Sequence, residues 1–582
     1  MPLPLLESLK AADAGSRRDD VVAGVITAIL LVPQAMAYAH LAGLPAQAGL
    51  VASIVPPVIY AVFGSSRSLA VGPVAVAALM VAHALADFAA DDRALWSVGA
   101  MILAAEAGAV LLLMRLFRLG SLVHFVSHPV LYGFTSGAAL LIIVSQLPLL
   151  LGLSIPRAEA GHTLVAISQQ WPGSDGLTLG LALVSIVILL LSRRPLQMLL
   201  VRLGVPAGPA GLASKAMPLS VVLGALLLVG LLPPEQRQGL QLVGEIGRGI
   251  PLPDWAALWS SGWIELAPSA ALIALVGYVE SIAVARVLGH RRRQKVDADQ
   301  ELTALGLANI GAAVVGTMPV AGGFSRSVVN FEAGARTQVA ALITSALVAM
   351  VAVFFTQVFE TLPKAVLAAI IVVAVAQLVD WKSARAVFAY DRGDGATLVV
   401  TMLGVLIFGI DAGLVLGVLL AIALYLRKTS VPHIAIMGRV PGTEHFRNVN
   451  RHQVECTPGL LIARVDENLY FANIAMVEDF VEQALQARAV QEPPVRALLL
   501  VMSAVSAIDA SAEEALLHWE ESLAERGVEL HFAEVKGPVW DQVAPSPLGQ
   551  RMAGRVHLST HTAVQSLAPH CAAEGAPELS KS

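Results

Sequence analysis

Two kinds of side chain that a bilayer ordinarily rejects stand inside apolar runs of this chain. One is an acid, Glu280, within Ala-Leu-Val-Gly-Tyr-Val-Glu-Ser-Ile-Ala. A carboxyl at that depth is costly unless it is paired, protonated or facing water. Two roles suit it: a proton-coupling group, or a structural counter-charge for Arg326. The other is Arg326 itself, which follows Ser325 in a stretch holding Pro319 and a Gly-Gly pair. Its guanidinium would add positive charge to an anion site. It could equally balance Glu280 or snorkel toward the interface. Gln34 and Tyr38 share a helix face at i, i+4 spacing and can donate hydrogen bonds to an anion, though polar residues also glue membrane helices together. Glu106 is a further intramembrane acid without an obvious partner, and Asp411 reads as structural, at a segment end.

The backbone around these groups is broken twice. Ser-Leu-Ala-Val-Gly-Pro-Val-Ala (68–75) and residues 316–330 place Gly and Pro where a helix should be running. Both residues interrupt helices. Irregular backbone survives at membrane depth only where protein buries it or where it lines a cavity. A short helix starting after each break would aim free N–H groups and its dipole at whatever lies between, which makes an anion site. Paired interrupted segments in corresponding halves point to a transporter binding site. Pro73 and Pro319 are 246 residues apart, as are Gln34 and Glu280. An odd number of segments between them makes the second half an inverted copy.

The elements that must hold these residues are apolar. The chain has 582 residues, 56% hydrophobic and 14% charged, with a mean hydropathy of +0.72. Soluble domains are nearer 25% charged. A net charge of −5 and the high hydropathy exclude a disordered chain and a nucleic-acid partner. Two cysteines, Cys456 and Cys571, exclude a disulfide framework, and no Cys/His cluster has zinc spacing. Val21 to Ser66 and Leu119 to Pro156 hold no Asp, Glu, Lys or Arg.

About fourteen hydrophobic segments are expected, near 20–42, 47–63, 70–88, 94–117, 121–150, 176–193, 216–233, 264–289, 297–316, 322–335, 337–359, 361–379, 394–410 and 411–427. Basic residues cluster after even-numbered segments: Arg67; Arg115 and Arg118; Arg193 and Arg194; Arg291 to Arg293 with Lys295; Lys382 and Arg385; Arg427 and Lys428. The positive-inside rule then puts both termini in the cytoplasm. Residues 1–19 read as a cytoplasmic segment along the membrane surface, not a cleavable signal peptide. From about residue 431 charges recur every few residues, which marks a soluble tail. Apolar strands at 460–465, 496–502 and 528–533 alternate there with helical patterns at 474–488 and 511–526, the mark of an α/β domain.

The run Val-Pro-Gln-Ala-Met-Ala-Tyr-Ala-His-Leu-Ala-Gly-Leu-Pro (32–45) resembles the first-helix signature of the SulP family, the sulfate permeases and anion exchangers that include the motor protein prestin. Residues 68–75 and 322–330 resemble its third and tenth helices, and 438–448 its linker after the last membrane helix. The resemblance covers nearly the whole chain, with a STAS domain at the end. It implies an all-α membrane domain built as a seven-plus-seven inverted repeat, with a core (segments 1–4 and 8–11) and a gate (5–7 and 12–14). Two half-helices would face the substrate, and core would move against gate as an elevator. The implied divisions are 1–19, a transport domain 20–428, a linker 429–455, a cytoplasmic STAS domain 456–570 and a disordered tail 571–582.

Carried over residue by residue, Gln34 and Tyr38 match first-helix positions near the anion. Val74 and Ala75 match the start of the third half-helix, and Phe324, Ser325 and Arg326 that of the tenth. Glu280 matches an acid of symporters that exchanger and motor members commonly lack. Some bacterial relatives carry an acid at the Gln34 position, and its absence here favours Glu280 as proton carrier. The STAS loop often reads Asp-Ser-Ser-Gly; here it is Asp-Ala-Ser-Ala (509–512), where Ser511 remains and also suits a helix N-cap.

The expected function is secondary active transport of a small inorganic anion, sulfate first, by proton symport. Bicarbonate or a dicarboxylate is the alternative substrate, sodium the alternative coupling ion, and anion exchange the alternative mode. A channel, a motile protein or a STAS-output sensor fits less well, since Glu280 and the broken helices imply coupling and a ligand site. No Gly-Lys-Ser/Thr phosphate loop occurs, so ATP does not drive the protein directly. The chain is expected not to be an enzyme and to need no cofactor or metal. It should reside in the inner (plasma) membrane as a homodimer.

Overall fold

Proline and glycine set where the membrane helices stop. The computed structural model describes residues 4–5, 14–89, 92–120, 127–155, 160–192, 194–237, 239–247, 249, 262–488 and 494–573. Most of the expected N-terminal segment 1–19, and residues 574–582 of the expected tail, lie outside the described residues. The chain divides into two compact units, Met1–Ala421 and Ile422–Ser582.

The first unit is helical. Its elements are α1 (Ala14–Leu41), α2 (Ala46–Ala52), α3 (Val55–Phe63), β1 (Val71–Gly72), α4 (Ala75–Ala89), α5 (Arg93–Leu116), α6 (His128–Leu151), α7 (Ala160–Gln170), α8 (Gly176–Leu191), α9 (Arg194–Arg202) and α10 (Ala207–Leu231). They continue as α11 (Trp263–Arg291), α12 (Ala298–Val314), β2 (Ala321–Gly322), α13 (Phe324–Glu332), α14 (Val339–Phe354), α15 (Lys364–Val375), α16 (Trp381–Tyr390), α17 (Arg392–Phe408) and α18 (Ile410–Ser430). Among the described residues, seven helical stretches are long and apolar enough to cross a membrane, and the bent pair α7–α8 makes an eighth. Fewer than fourteen pass that test for physical reasons. The strands β1 and β2 leave α4 and α13 as half-helices. Asp299 and Glu301 stand in the first turn of α12, and α14 and α17 have only 16 and 17 residues.

The two broken segments meet. β1 and β2 pair antiparallel, with Val71 opposite Gly322 and Gly72 opposite Ala321. Exchanging the two strands relates Val71 to Ala321 and Gly72 to Gly322, an offset of 250 residues, so Pro73 and Pro319, 246 residues apart, are not equivalent positions in this crossing. Ala70 N–H donates to Ser327 Oγ (2.9 Å), and Asn330 Nδ2 donates to the Ser68 carbonyl (3.2 Å). Gly322 N–H donates to Ser281 Oγ (2.7 Å), which ties α11 to β2. The Asn309 side chain closes the approach to β2 with bonds to both backbone groups of Val320 (2.9 and 3.0 Å). Buried backbone groups in irregular segments need such partners, because no water reaches them.

Buried acids hold the connecting loops. Glu301 is fully buried and accepts from Tyr60 Oη (2.7 Å), Ser65 N (2.8 Å), Ser65 Oγ (2.7 Å) and Ser66 N (3.1 Å). Asp20 accepts from the backbone N–H of Arg336 and Thr337 and from Thr337 Oγ1 (2.6–2.9 Å). Each acid anchors a loop just before a broken segment or just after one. Elsewhere small residues bring helices together. A Cβ on Gly413 of α18 would fall 2.2 Å from Val405 N of α17, so this crossing admits glycine alone.

The second unit is an α/β domain whose six-stranded sheet runs β4-β3-β5-β6-β7-β8. Its elements are β3 (Ile434–Arg439), β4 (Phe446–Asn448), β5 (Leu460–Val465), α19 (Ile474–Arg488), β6 (Ala497–Val501), α20 (Ala510–Glu525), β7 (Glu529–Ala533), α21 (Gly537–Val543), α22 (Pro547–Arg551), β8 (Val556–His557) and α23 (Thr560–Ala573). β5 to β8 are parallel, and β3 is antiparallel to both neighbours. Parallel strands are covered on both faces, so β5 reads as a continuous apolar run. Leu461, Ala463 and Val465 face the core with Val477 and Leu516, while Leu460 and Ile462 face Val564 and Leu567. The stretch 429–455, expected as a linker, contributes β3 and β4, because Ile434, Ala435 and Met437 extend the core at the sheet's antiparallel edge. The N-cap of α20 is Asp509 and not Ser511: the Asp509 carboxylate reaches Ala512 N at 2.8 Å.

Candidate anion-binding site

α1 supplies the first wall. Pro33 lies inside it and removes one backbone donor from the ladder. Gln34 (4% exposed) and Tyr38 (6%) follow, with Gln34 Nε2 donating to Tyr38 Oη at 2.7 Å. Gln34 Oε1 has no hydrogen-bond partner. The tyrosine hydroxyl proton also remains free to donate.

The second and third walls are the starts of α4 and α13. Both follow the β1–β2 crossing at once, so the two helix N-termini converge. Val74 carries no polar atom with which to cap α4. Gly323, the N-cap of α13, makes no side-chain cap. The first-turn N–H groups of both helices therefore stay available, and each end presents the positive pole of its dipole.

Arg326 sits in the first turn of α13 and is 1% exposed. Neither Nη1 nor Nη2 has a hydrogen-bond partner. Burying a guanidinium with free donors is expensive, so the arrangement calls for a ligand. Glycine makes room for it. A Cβ on Gly72 would stand 3.0 Å from Nη1, and one on Gly323 2.9 Å from Nη2. Glu280 faces the same space from α11, fixed there by the Ser281–Gly322 bond one residue on.

Together these groups enclose a cavity of about 40 Å³. That is room for roughly three waters at about 10–15 Å³ each. All eight residues singled out from sequence, Gln34, Tyr38, Val74, Ala75, Glu280, Phe324, Ser325 and Arg326, line it. Val76 and Gly323 extend the two helix starts. A further wall, unforeseen from sequence, comes from the end of α15 and just beyond: Ala374, Val375 and Leu378. These are apolar residues in an apolar run and carry no chemical signature. α15 stops at Val375 and passes into a 3₁₀ turn at Ala376–Leu378, which brings these residues to the cavity.

Two other acids lie off the cavity. Glu106 on α5 is 8% exposed and its Oε2 has no hydrogen-bond partner. Asp411 is in the first turn of α18, where a carboxylate favours the helix dipole. Among the described residues no cluster of His, Cys, Asp or Glu could hold a metal ion.

The site thus offers one guanidinium, two helix N-termini, the Tyr38 and Ser325 hydroxyls and an amide as donors, with one carboxyl beside them. Charge-assisted bonds from such donors suit a small oxyanion.

Comparison with known proteins follows the same outline. Residues 18–401 match the sulfate permease family and residues 451–563 the STAS domain. The chain is 34% identical over 561 residues to sulfate transporter 4.1, chloroplastic, of Arabidopsis thaliana, covering 94% of this chain and 79% of that protein. It is 34% identical over 552 residues to a probable sulfate transporter of Mycobacterium tuberculosis, covering 94% and 95%. Among solved structures, murine Solute Carrier 26 family member A9 superposes with a TM-score of 0.88 at 24% identity, over 97% of this chain and 93% of that one. The transmembrane domain of a cyanobacterium bicarbonate transporter gives 0.60 at 21% identity, over 69% and 98%. The two likenesses share a fold with this chain.

Proposed function

The chain belongs to the sulfate permease family, a family of transporters and not of enzymes, and on that footing we propose that it carries sulfate across the membrane by proton symport. The observation that carries this reading is the buried, unpartnered Arg326 guanidinium between two uncapped helix starts, with Glu280 in the same cavity.

Charge arithmetic supports sulfate with a proton. Each helix start acts as roughly half a positive charge. With Arg326 the total is about +2, which balances a divalent oxyanion when Glu280 is protonated. With Glu280 ionised the cavity is about +1 and a divalent anion leaves it unbalanced. Proton and sulfate therefore favour each other's presence, which is the thermodynamic requirement for coupling. The relatives' names, sulfate transporters from a plant and a mycobacterium, agree with this substrate. A monovalent anion such as bicarbonate would instead suit the ionised carboxylate, and that is the second reading.

Gln34, Tyr38, Ser325 and Arg326 are the proposed donors to the anion, with the backbone of Val74, Ala75 and Phe324. Glu280 is the proposed proton carrier. The core would comprise α1–α5 and α11–α14, and the gate α6–α8, α10, α15, α17 and α18. Ala374, Val375 and Leu378 would then be the gate surface past which the core carries the anion in an elevator movement. Both termini would lie in the cytoplasm, in a homodimer of a plasma or inner membrane.

Equilibrium binding of radiolabelled sulfate to the purified full-length protein tests the site. Sulfate binding that Arg326→Ala weakens at least tenfold is expected. Binding of bicarbonate or fumarate without sulfate competition would replace the substrate.

A further inference from the structure

We propose that α16, the short helix between α15 and α17, lies in the cytoplasmic membrane interface and binds the headgroups of anionic phospholipids.

The helix reads Trp-Lys-Ser-Ala-Arg-Ala-Val-Phe-Ala-Tyr. It is an element of its own, not the tail of a membrane span. Asp380 starts it, accepting from Lys382 N and Ser383 N at 3.0 Å each. Asp391 ends it and starts α17, accepting from Gly393 N and Asp394 N at 2.7 and 3.2 Å. The inner side, Ser383, Ala384 and Val387, is half-buried and packs on α17 and α6. None of the ten residues is buried.

The outer side joins two features that water alone does not reward. Trp381 is 67% exposed, Phe388 43% and Tyr390 93%. Lys382 and Arg385 stand exposed among them. Trp381 and Phe388, seven residues apart, share one face, and Phe388 also abuts Gly395 of α17; Tyr390 stands on another side at the helix end. Large aromatics left exposed in this way mark a contact surface. Aromatic rings at headgroup level are what membrane boundaries select, and basic residues on such a helix complement lipid phosphates. The place in the chain agrees, since α16 lies between two apolar stretches where the chain turns at the membrane surface. The basic residues argue against a second copy as the occupant. A two-fold contact across this face would set Lys382 and Arg385 of one copy against the same pair of the other. The lipid would hold the segment that begins at Leu378 of the cavity wall, so headgroup charge would act close to the site.

The full-length protein in liposomes containing lipids brominated along the acyl chain tests this, with Trp381→Phe subtracted to isolate Trp381 emission. Quenching of Trp381 is expected, stronger for brominated phosphatidylglycerol than for brominated phosphatidylcholine, by about fivefold in local enrichment per basic side chain. The double variant K382Q/R385Q should keep the quenching and lose the preference. Native mass spectrometry gives a second reading that does not depend on Trp381: the wild type should retain more phosphatidylglycerol than K382Q/R385Q. Absence of Trp381 quenching by either lipid, or its appearance only on dilution to the monomer, would overturn the proposal. Equal quenching by both lipids together with equal lipid retention would overturn it as well.

Discussion

Replacing Gly323 by alanine probes the Arg326 guanidinium without altering it. Gly323 has φ −83° and ψ 128°, a conformation open to alanine. The added Cβ would lie 2.9 Å from Nη2 and 3.0 Å from Nε, where ordinary contact begins at 3.4 Å. The guanidinium must therefore retreat by about 0.5 Å, which is the whole tolerance of a working site, about 0.5 Å. One charged hydrogen bond contributes about 1.5–3 kcal/mol, so losing one raises the sulfate Kd roughly tenfold to a hundredfold. The assay is equilibrium sulfate binding, with a thermal melt to show that the variant folds. Gly180→Ala is the control, since nothing stands within 4 Å of its Cβ. Unchanged affinity in a folded Gly323→Ala protein would mean that the guanidinium does not touch the anion.

Three further outcomes follow from other parts of the molecule. Glu280→Gln should abolish accumulation driven by a proton gradient while sulfate exchange across the membrane continues; normal gradient-driven uptake would remove Glu280 from coupling. Glu301→Ala strips the acceptor from Tyr60, Ser65 and Ser66, and at about 1–3 kcal/mol per stranded donor it should lower the melting temperature clearly; an unchanged melt would show that the loop before β1 holds without it. In the second unit, burial first, then the neighbouring Asp479 and Glu482, push the Glu478 carboxyl up from 4.5 to about 7. Ionising it therefore costs the folded state, so stability is greatest below about pH 4.5, falls as pH rises to about 7, and is level above. Glu478→Gln should slow amide exchange in α19 relative to wild type at pH 8 and match it at pH 4.5; equal exchange at pH 8 would refute the shift.

Legibility in the sequence tracked the price a bilayer puts on polarity. Glu280 and Arg326 stood out because their surroundings are apolar, and Gly72, Pro73, Pro319 and Gly323 because they break helices that should continue. Those features also located the two helix starts, and all eight residues meet in one cavity. The strand–helix alternation of the second unit was likewise open to reading, since buried parallel strands have no polar side. Three things were not legible. The wall of Ala374, Val375 and Leu378 differs in no way from lipid-facing sequence. The partners of Glu301 lie 235 to 241 residues away, and spacing says nothing about such pairs. β4 has only three residues, and β3, though as long as β5, follows the last membrane helix so closely that its apolar run did not stand apart from a linker.

Uptake of radiolabelled sulfate into proteoliposomes under an inward proton gradient is the most direct measurement. A sodium gradient, and excess unlabelled bicarbonate or fumarate, serve as controls. Proton symport predicts uphill sulfate accumulation with the proton gradient, none with sodium alone, and little competition from the other anions. Sodium-driven accumulation, or bicarbonate or fumarate transport with no sulfate flux, would contradict it.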